Sequence, residues 1–99
     1  MSLQITKNVA DTTTIGLEGR LDTSTAPELE KYMEDCIAEI NDLVLDFGKL
    51  EYISSAGLRV ILKIYKNISK KGSMKLVNVN ETVAEVLDIT GFTDFLDIE

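Results

Sequence analysis

The sequence predicts an α/β fold: a mixed sheet of four to five strands with three to four helices, mainly on one face. Two kinds of segment alternate along the chain. Some have the alternating or wholly apolar pattern of strands, and in the others apolar residues recur at helical spacing. With 99 residues, 44% of them hydrophobic, the chain can bury one core, so we expect one domain over residues 1–99. One proline and six glycines argue against disorder.

The N-terminal segment predicts a β-hairpin. Residues 3–6 alternate weakly and are typical of an edge strand, residues 8–11 form a turn, and residues 13–18 alternate as its partner strand. Gly19 is expected to break this second strand.

A helix start follows at Thr25. Its hydroxyl precedes Glu28 by three residues, the spacing of a capping box, and Pro27 is tolerated in the first turn of a helix. Residues 41–42 end this helix, and its apolar face consists of Leu29, Tyr32, Met33, Cys36, Ile37 and Ile40.

The apolar run at residues 43–47 predicts a central buried strand. Residues 48–53 then connect it to a second helix, which begins near Ser54 or Ser55. The buried stripe of that helix is Leu58, Ile61, Leu62, Tyr65 and Ile68.

The C-terminal third predicts a further strand and helix. Residues 70–72 end the second helix with two lysines at its carbonyl end and Gly72 as a left-handed cap. Residues 74–79 form a strand, and Asn80 caps a third helix that closes near Gly91. Residues 92–98 are expected to add a short strand or a helical turn.

Composition excludes several classes of chemistry. The chain has no histidine and a single cysteine, so it has neither an internal disulfide nor a metal site built on these residues. We therefore expect no cofactor and no catalytic metal. Cys36 lies in a predicted apolar stripe, where it is interpreted as a small buried hydrophobe rather than a reactive thiol.

Charge and hydropathy restrict the partners. The net charge of −7 would repel a polyanion, so no nucleic-acid partner is expected. The longest apolar run is too short to span a bilayer and no leader follows Met1, which predicts a cytoplasmic protein without direct membrane insertion.

Positive charge is concentrated in residues 52–80, which contain no acidic residue. This segment is either a solvated helix face or a surface that receives an acidic partner or an added phosphate. It holds six of the ten cationic residues: Arg59, Lys63, Lys66, Lys70, Lys71 and Lys75.

The most informative local feature is the pair of serines that opens the second helix. The first helical N–H groups lack partners and this helix end is positive, so a serine here either caps the helix or is displayed where a phosphate is well received. Two adjacent serines allow both, with Ser54 as the cap and Ser55 displayed. Gly57 in the first turn costs about 1 kcal/mol relative to alanine, which close approach of another protein would explain.

Residues 45–58 resemble the signature of STAS-domain anti-sigma-factor antagonists: an apolar strand, a short loop and an aromatic residue before Asp/Ser-Ser-Ser/Thr/Ala-Gly-Leu. Residues 19–22 with residues 25–26 resemble the family's Gly-x-Leu-Asp block before its first helix. Residues 90–92 resemble the Ser/Thr-Gly-Leu/Phe turn after its third helix. The three blocks occur in the family's order and cover essentially the whole chain.

The resemblance implies that Ser55 is the serine phosphorylated by a partner kinase. It also implies that Asp22 and Asp46 lie near this phosphoacceptor, and Ser54 stands where several members have aspartate. The implied partner-binding residues are Asp22, Asp46, Ser54, Ala56, Gly57, Leu58 and Arg59.

The mechanism implied by the resemblance is partner switching by a protein that is not an enzyme. The unmodified chain would bind an anti-sigma factor, itself a GHKL-type serine kinase, and release a sigma factor; phosphorylation would end binding and a serine phosphatase would restore it. An alternative is a STAS scaffold or accessory subunit of a stress-sensing complex or a membrane lipid transporter. A response-regulator role for Asp46, as an aspartate that ends a central strand, is disfavoured because residues 4–8 lack the carboxylates that hold Mg²⁺.

Overall fold

The computed structural model describes residues 3–94 and 96–98. The predicted order of strands and helices is confirmed, and short 3₁₀ turns follow α1 and α3. In chain order the elements are β1 (Leu3–Val9), β2 (Thr13–Leu21), α1 (Ala26–Cys36), a 3₁₀ turn (Ile37–Glu39), β3 (Asp42–Ile53), α2 (Ser55–Ile68), β4 (Ser73–Val77), α3 (Glu81–Ile89), a 3₁₀ turn (Phe92–Asp94) and β5 (Asp97–Ile98).

The strands form one five-stranded mixed sheet in chain order, with β1 antiparallel to β2 and the remaining neighbours parallel. Each parallel crossover advances in the same direction and such crossovers are right-handed, so the three helices lie on one face. This confirms the predicted α/β architecture. The strand residues turned toward the helices are buried: Ile15, Leu17, Leu43, Leu45, Phe47, Met74 and Leu76.

The helices contribute the other side of the core. In α1 the buried residues include Leu29, Met33 and Cys36; Cys36 is 9% exposed, and burial raises the pKa of its thiol. The interpretation of Cys36 as a buried hydrophobe is confirmed. Helix α2 contacts α1, β3 and β4, so its buried face is wider than predicted. It includes Val60 and Ile64, whereas the predicted Leu62 and Tyr65 are only partly buried.

Strand β2 does not end at Gly19, contrary to prediction. It continues to Leu21, and Gly19 takes a φ of 108° within it. That conformation costs glycine little, so the strand passes through a local irregularity instead of stopping. The preceding strand is also longer than predicted, and the turn falls after Val9.

The predicted connection at residues 48–53 is instead part of β3, which runs to Ile53. Between the pairs Gly16–Asp46 and Glu18–Lys49, one residue of β2 stands opposite two of β3, and a second shift follows Gly19. Such bulges interrupt the two-residue alternation that identifies a strand. The buried residues of this part of β3 accordingly recur every third position, at Phe47, Leu50 and Ile53.

The role predicted for Gly72 is wrong. Helix α2 ends at Ile68, and the left-handed glycine found after a helix is Gly91, with a φ of 81°. A Cβ atom on Gly72 would lie 1.7 Å from the carbonyl oxygen of Asn41, so close backbone packing requires this glycine. Lys71 does not serve the end of its own helix: its Nζ donates to the carbonyls of Ile37 and Ala38 after α1, at 2.6 and 3.1 Å.

The last part of the chain confirms the predicted helix cap and short final elements. The Asn80 side chain accepts the Val83 amide at 2.9 Å and caps α3, while β4 ends at Val77, two residues earlier than predicted. Within residues 3–94 and 96–98, no helix is long and apolar enough to cross a membrane.

Candidate functional site

The candidate site lies at the carboxyl ends of β2 and β3, where two helices begin. Leu21 and Ile53 are paired at the ends of these strands, and the Ser54 amide donates to the Leu21 carbonyl at 2.9 Å. This bond fixes the start of α2 against the segment that leads into α1. The parallel pairing therefore brings two sequence-distant blocks, residues 19–26 and 52–59, to one edge of the sheet.

Ser54 and Ser55 occupy the positions that the sequence predicts. Ser54 has an extended backbone, and its side chain accepts the Gly57 amide at 3.3 Å, which confirms it as the N-cap of α2. Ser55 is the first residue of α2 and is exposed. No hydrogen bond joins its hydroxyl to any of the described residues. The first turn of α2 contains no acidic residue.

Asp22 lies in the turn between β2 and α1, next to this helix start. Its Oδ1 accepts the hydroxyl and amide of Ser24, at 2.8 and 3.0 Å, and the Thr25 amide at 3.2 Å. The bond from the Ser24 hydroxyl is the largest of the effects that lower the pKa of Asp22, and the two amides act in the same direction. Asp22 is therefore an ionised group that organises its own turn.

Thr25 does not act as the predicted side-chain cap. Its hydroxyl donates to the Arg20 carbonyl at 2.7 Å and accepts the Asp22 amide at 2.8 Å, and the residue is 1% exposed. Its backbone is helical rather than extended, so the hydroxyl does not reach the free amides of α1. Thr25 instead fastens the turn that carries Asp22.

Gly57 and Leu58 lie in the interior, as predicted for Leu58 in the buried stripe, and are therefore not exposed for the partner contact that the resemblance implies. A Cβ atom on Gly57 would lie 2.7 Å from Leu21 Cγ and 2.9 Å from the Leu21 carbonyl oxygen. Leu58 is 5% exposed and belongs to the core. Packing of α2 against the end of β2 therefore explains the glycine.

Ala56 and Arg59 line a groove between the starts of α1 and α2, together with Thr23, Ala26 and Pro27. Arg59 is exposed, one turn after Ser55, and has no ion pair with the described residues. Glu30, Val60 and Lys63 complete the lining, so the groove combines two cations, a carboxylate and small or apolar side chains.

The basic face of α2 is partly neutralised by α1. Lys63 Nζ lies 2.6 Å from Glu30 and 4.0 Å from Glu34, and the hydrogen bond that Lys63 donates to Glu30 raises the pKa of Lys63. This pairing favours the interpretation of Lys63 as part of a solvated face. Arg59 remains the cation beside Ser55 whose charge no described carboxylate neutralises.

Asp46 is not brought near Ser55. It is the fifth residue of β3, and its Oδ1 accepts the Gly48 amide at 2.9 Å and Asn78 Nδ2 at 3.0 Å. Ile53 lies seven positions further along the strand, roughly 20 Å away at strand spacing. Asp46 also does not end its strand. The described residues hold no group of three or more His, Cys, Asp or Glu side chains that could bind a metal.

Sequence reasoning missed Arg20 and Tyr52 at this edge. The Arg20 guanidinium lies 4.5 Å from the centre of the Tyr52 ring, and the two residues are partners in the β2–β3 register. Arg20 stands inside the quoted block at residues 19–22, so an arginine in that block was the available signal.

A mixed sheet covered by helices on one face, with a capped and serine-bearing helix start at its edge, places the chain among the small α/β domains. The STAS domain family matches residues 1–99, and the chain belongs to this family.

Known relatives agree with this assignment. The chain is 32% identical over 85 residues to the anti-sigma-B factor antagonist of Bacillus subtilis (strain 168), covering 85% of this chain and 78% of that protein. The crystal structure of an anti-sigma factor antagonist from Mycobacterium paratuberculosis shares the fold, with a TM-score of 0.89 and 21% identity over 97% of this chain and 84% of that one. The Bacillus cell fate determinant SpoIIAA in its phosphorylated form also shares it, with a TM-score of 0.72 and 19% identity over 98% of this chain and 90% of that one.

Proposed function

We propose that the chain is a cytoplasmic anti-sigma-factor antagonist, and that phosphorylation of Ser55 switches it off. Its unmodified form binds an anti-sigma factor that is also a GHKL-type serine kinase, and this binding releases a sigma factor. The observation that carries the proposal is the exposed, unengaged hydroxyl of Ser55 at the start of α2, next to a separate serine that caps the helix. Relatives named as anti-sigma factor antagonists support the choice of partner.

The chemistry at Ser55 is a phosphoryl transfer carried out by the partner. The Ser55 oxygen attacks the γ-phosphorus of ATP, its proton leaves to solvent or a kinase base, and ADP departs. A serine phosphatase reverses the change by hydrolysis, which returns the hydroxyl and releases inorganic phosphate. The antagonist supplies an accessible nucleophile and no catalytic group.

The fold should tolerate the phosphate. It would lie beside unpaired amides at the positive end of α2, where an anion stabilises a helix by about 0.3–1 kcal/mol. No acidic residue stands in that turn, and Arg59 lies four residues on, at a spacing that permits weak pairing. The structural likeness to SpoIIAA, which was solved phosphorylated, is consistent with a fold that accepts the group.

The partner interface should not tolerate it. The proposed interface surrounds Ser55 and comprises Asp22, Ser54, Ala56 and Arg59, with the groove between α1 and α2. A phosphate adds about −1.5 to −2 charges, and enclosing it without matched cations loses several kcal/mol of hydration. That loss is enough to abolish micromolar binding.

The test uses each GHKL-type serine kinase encoded in the source genome, purified and titrated against the wild-type chain, Ser55→Ala and Ser55→Asp. We expect one kinase to bind the wild type and Ser55→Ala, and Ser55→Asp to bind at least about a hundredfold more weakly. With ATP and Mg²⁺, mass spectrometry should locate one phosphate on Ser55 of the wild type and of the control Ser54→Ala. Labelling of Ser54, or wild-type affinity of Ser55→Asp, contradicts the switch. Failure of every kinase to bind contradicts the antagonist role and favours a scaffold or accessory subunit.

A further inference from the structure

Arg20 and Tyr52 form a stacked pair at the edge of the sheet where α2 begins. The guanidinium carbon of Arg20 lies 4.5 Å from the ring centre of Tyr52, within the range of a cation–π contact. Both residues immediately precede a buried strand residue, Leu21 in β2 and Ile53 in β3. Both side chains lie outside the core, since that of Arg20 is 43% exposed and Tyr52 is 36% exposed.

The Arg20 guanidinium keeps its hydrogen-bonding capacity free. Its Nε lies 3.8 Å from Asp22 Oδ2, close enough for attraction between charges but too far for a hydrogen bond. Within residues 3–94 and 96–98 nothing accepts a hydrogen bond from this group, and the Arg20 side chain is 43% exposed. The Tyr52 ring and the Asp22 carboxylate therefore hold the Arg20 guanidinium in place, with its N–H groups directed toward solvent.

We propose that Arg20 is a specificity-determining contact that binds a carboxylate of the partner, so that the anti-sigma factor presents Asp or Glu at this point. This inference rests on the proposed function. The planar guanidinium offers paired donors that match a carboxylate, which a lysine ammonium cannot do. Stacking on Tyr52 restricts the arginine before binding, so less side-chain entropy is lost when the complex forms.

Arg20 and Arg59 are two cations near the start of α2 whose hydrogen-bond donors no described residue uses, whereas Lys63 is hydrogen-bonded to Glu30. The chain as a whole carries a net charge of −7. A partner surface that complements this net negative charge is basic. A partner carboxylate opposite Arg20 is therefore a local exception, with the charges of the two proteins reversed. Such reversals fix register and reject partners that carry the wrong charge.

The experiment measures equilibrium affinity and association rate at two ionic strengths, using the GHKL-type kinase that binds the wild-type chain. We expect Arg20→Glu to weaken binding at least about tenfold and to reduce the salt dependence of association. Arg20→Lys and Tyr52→Leu should each weaken binding by about threefold or more. The first removes the planar guanidinium, and the second removes the ring on which it stacks. Lys70→Glu makes the same charge change beyond the far end of α2 and should stay within about twofold of wild type.

The partner side of the test replaces each exposed Asp and Glu of the kinase with Lys. We expect one replacement to weaken the complex with the wild-type chain. The same replacement should bring the affinity for Arg20→Glu to within about threefold of that of the wild-type pair, as a swapped ion pair would. Far-UV circular dichroism and thermal melting confirm that each variant is folded. Wild-type affinity of Arg20→Glu, or a loss that no Lys replacement restores, overturns this inference even while the Ser55 variants behave as the proposed function requires. Failure of the Ser55 variants alone counts against the switch and not against this contact.

Discussion

Gly57 at the start of α2 packs directly against Leu21 at the end of β2. A Cβ atom on Gly57 would lie 2.7 Å from Leu21 Cγ and 2.9 Å from its carbonyl oxygen, and 3.1 Å from Cγ1 of Ile53. The helix that carries Ser55 can approach the sheet edge this closely because one residue of its first turn has no side chain. The position of the proposed switch therefore depends on a contact inside the molecule.

Gly57→Ala should destabilise the fold. In a free helix the change would gain about 1 kcal/mol, but overpacking against a backbone carbonyl that cannot rotate away costs about 1–3 kcal/mol. We expect a net loss of up to about 2 kcal/mol in the free energy of unfolding, measured by urea denaturation.

Gly48→Ala is the matched control, because the atom nearest its added Cβ, at 3.1 Å, is the end of the Asp46 side chain. It should change stability by less than about 0.5 kcal/mol. A stable Gly57→Ala variant with weakened partner binding would restore the interpretation of Gly57 as a partner contact.

Gly72→Ala should be more damaging than Gly91→Ala. The added Cβ at Gly72 would overlap the Asn41 carbonyl at 1.7 Å, whereas at Gly91 the nearest atom, Asp94 Oδ2, would be in ordinary contact at 3.9 Å but φ is 81°. Strain of the latter kind costs about 1–2 kcal/mol. We expect at least about 3 kcal/mol at Gly72, because two backbone segments must separate. Equal losses in urea denaturation would mean that the two backbone segments at Gly72 separate at little cost.

Ser54→Ala should lose the helix cap without losing the fold. Replacing a serine N-cap with alanine costs about 1 kcal/mol, and Ser54→Asp should keep most of that stability because aspartate caps as well as serine does. Ser55→Ala is the control, since the Ser55 hydroxyl makes no hydrogen bond to the described residues and should contribute less than about 0.5 kcal/mol. Equal melting temperatures of Ser54→Ala and wild type would show that the 3.3 Å bond to Gly57 is not stabilising.

The stability contributed by Asp22 should depend on pH at the acidic end. Hydrogen bonds from Ser24 and Thr25 lower its pKa below the ordinary value of 3.8, because they favour the ionised form. The contribution is therefore present above pH 3.8 and is lost as the pH falls through the folded-state pKa.

NMR titration of the Asp22 carboxyl carbon checks this directly. Ser24→Ala removes the largest lowering effect and should move the pKa of Asp22 upward, toward 3.8. Thr23→Ala is a control in the same turn, since no contact of Thr23 contributes to the shift. An unchanged pKa in Ser24→Ala would contradict the assigned cause.

The sequence alone determined the order of elements and the start of two helices. Strand and helix periodicities are local properties, and so is capping, because an N-cap and the amide it binds are three residues apart. Ser54 and Asn80 were therefore assigned correctly as caps, and Ser55 was correctly expected to be exposed. Thr25 was also predicted to be an N-cap, and this is wrong because its hydroxyl bonds instead to the Arg20 carbonyl and the Asp22 amide.

Only the tertiary structure decided which residues meet at the site. The bulges that extend β3 to Ile53 arise from its pairing with β2, some thirty residues away in the chain, and they erase the alternation from which a strand is predicted. The length of β3 beyond Asp46 separates Asp46 from Ser55, and the register of β3 with β2 stacks Arg20 on Tyr52. Contacts of this kind depend on how strands align and how closely a helix can approach them, and neither quantity is encoded in a local pattern of residues.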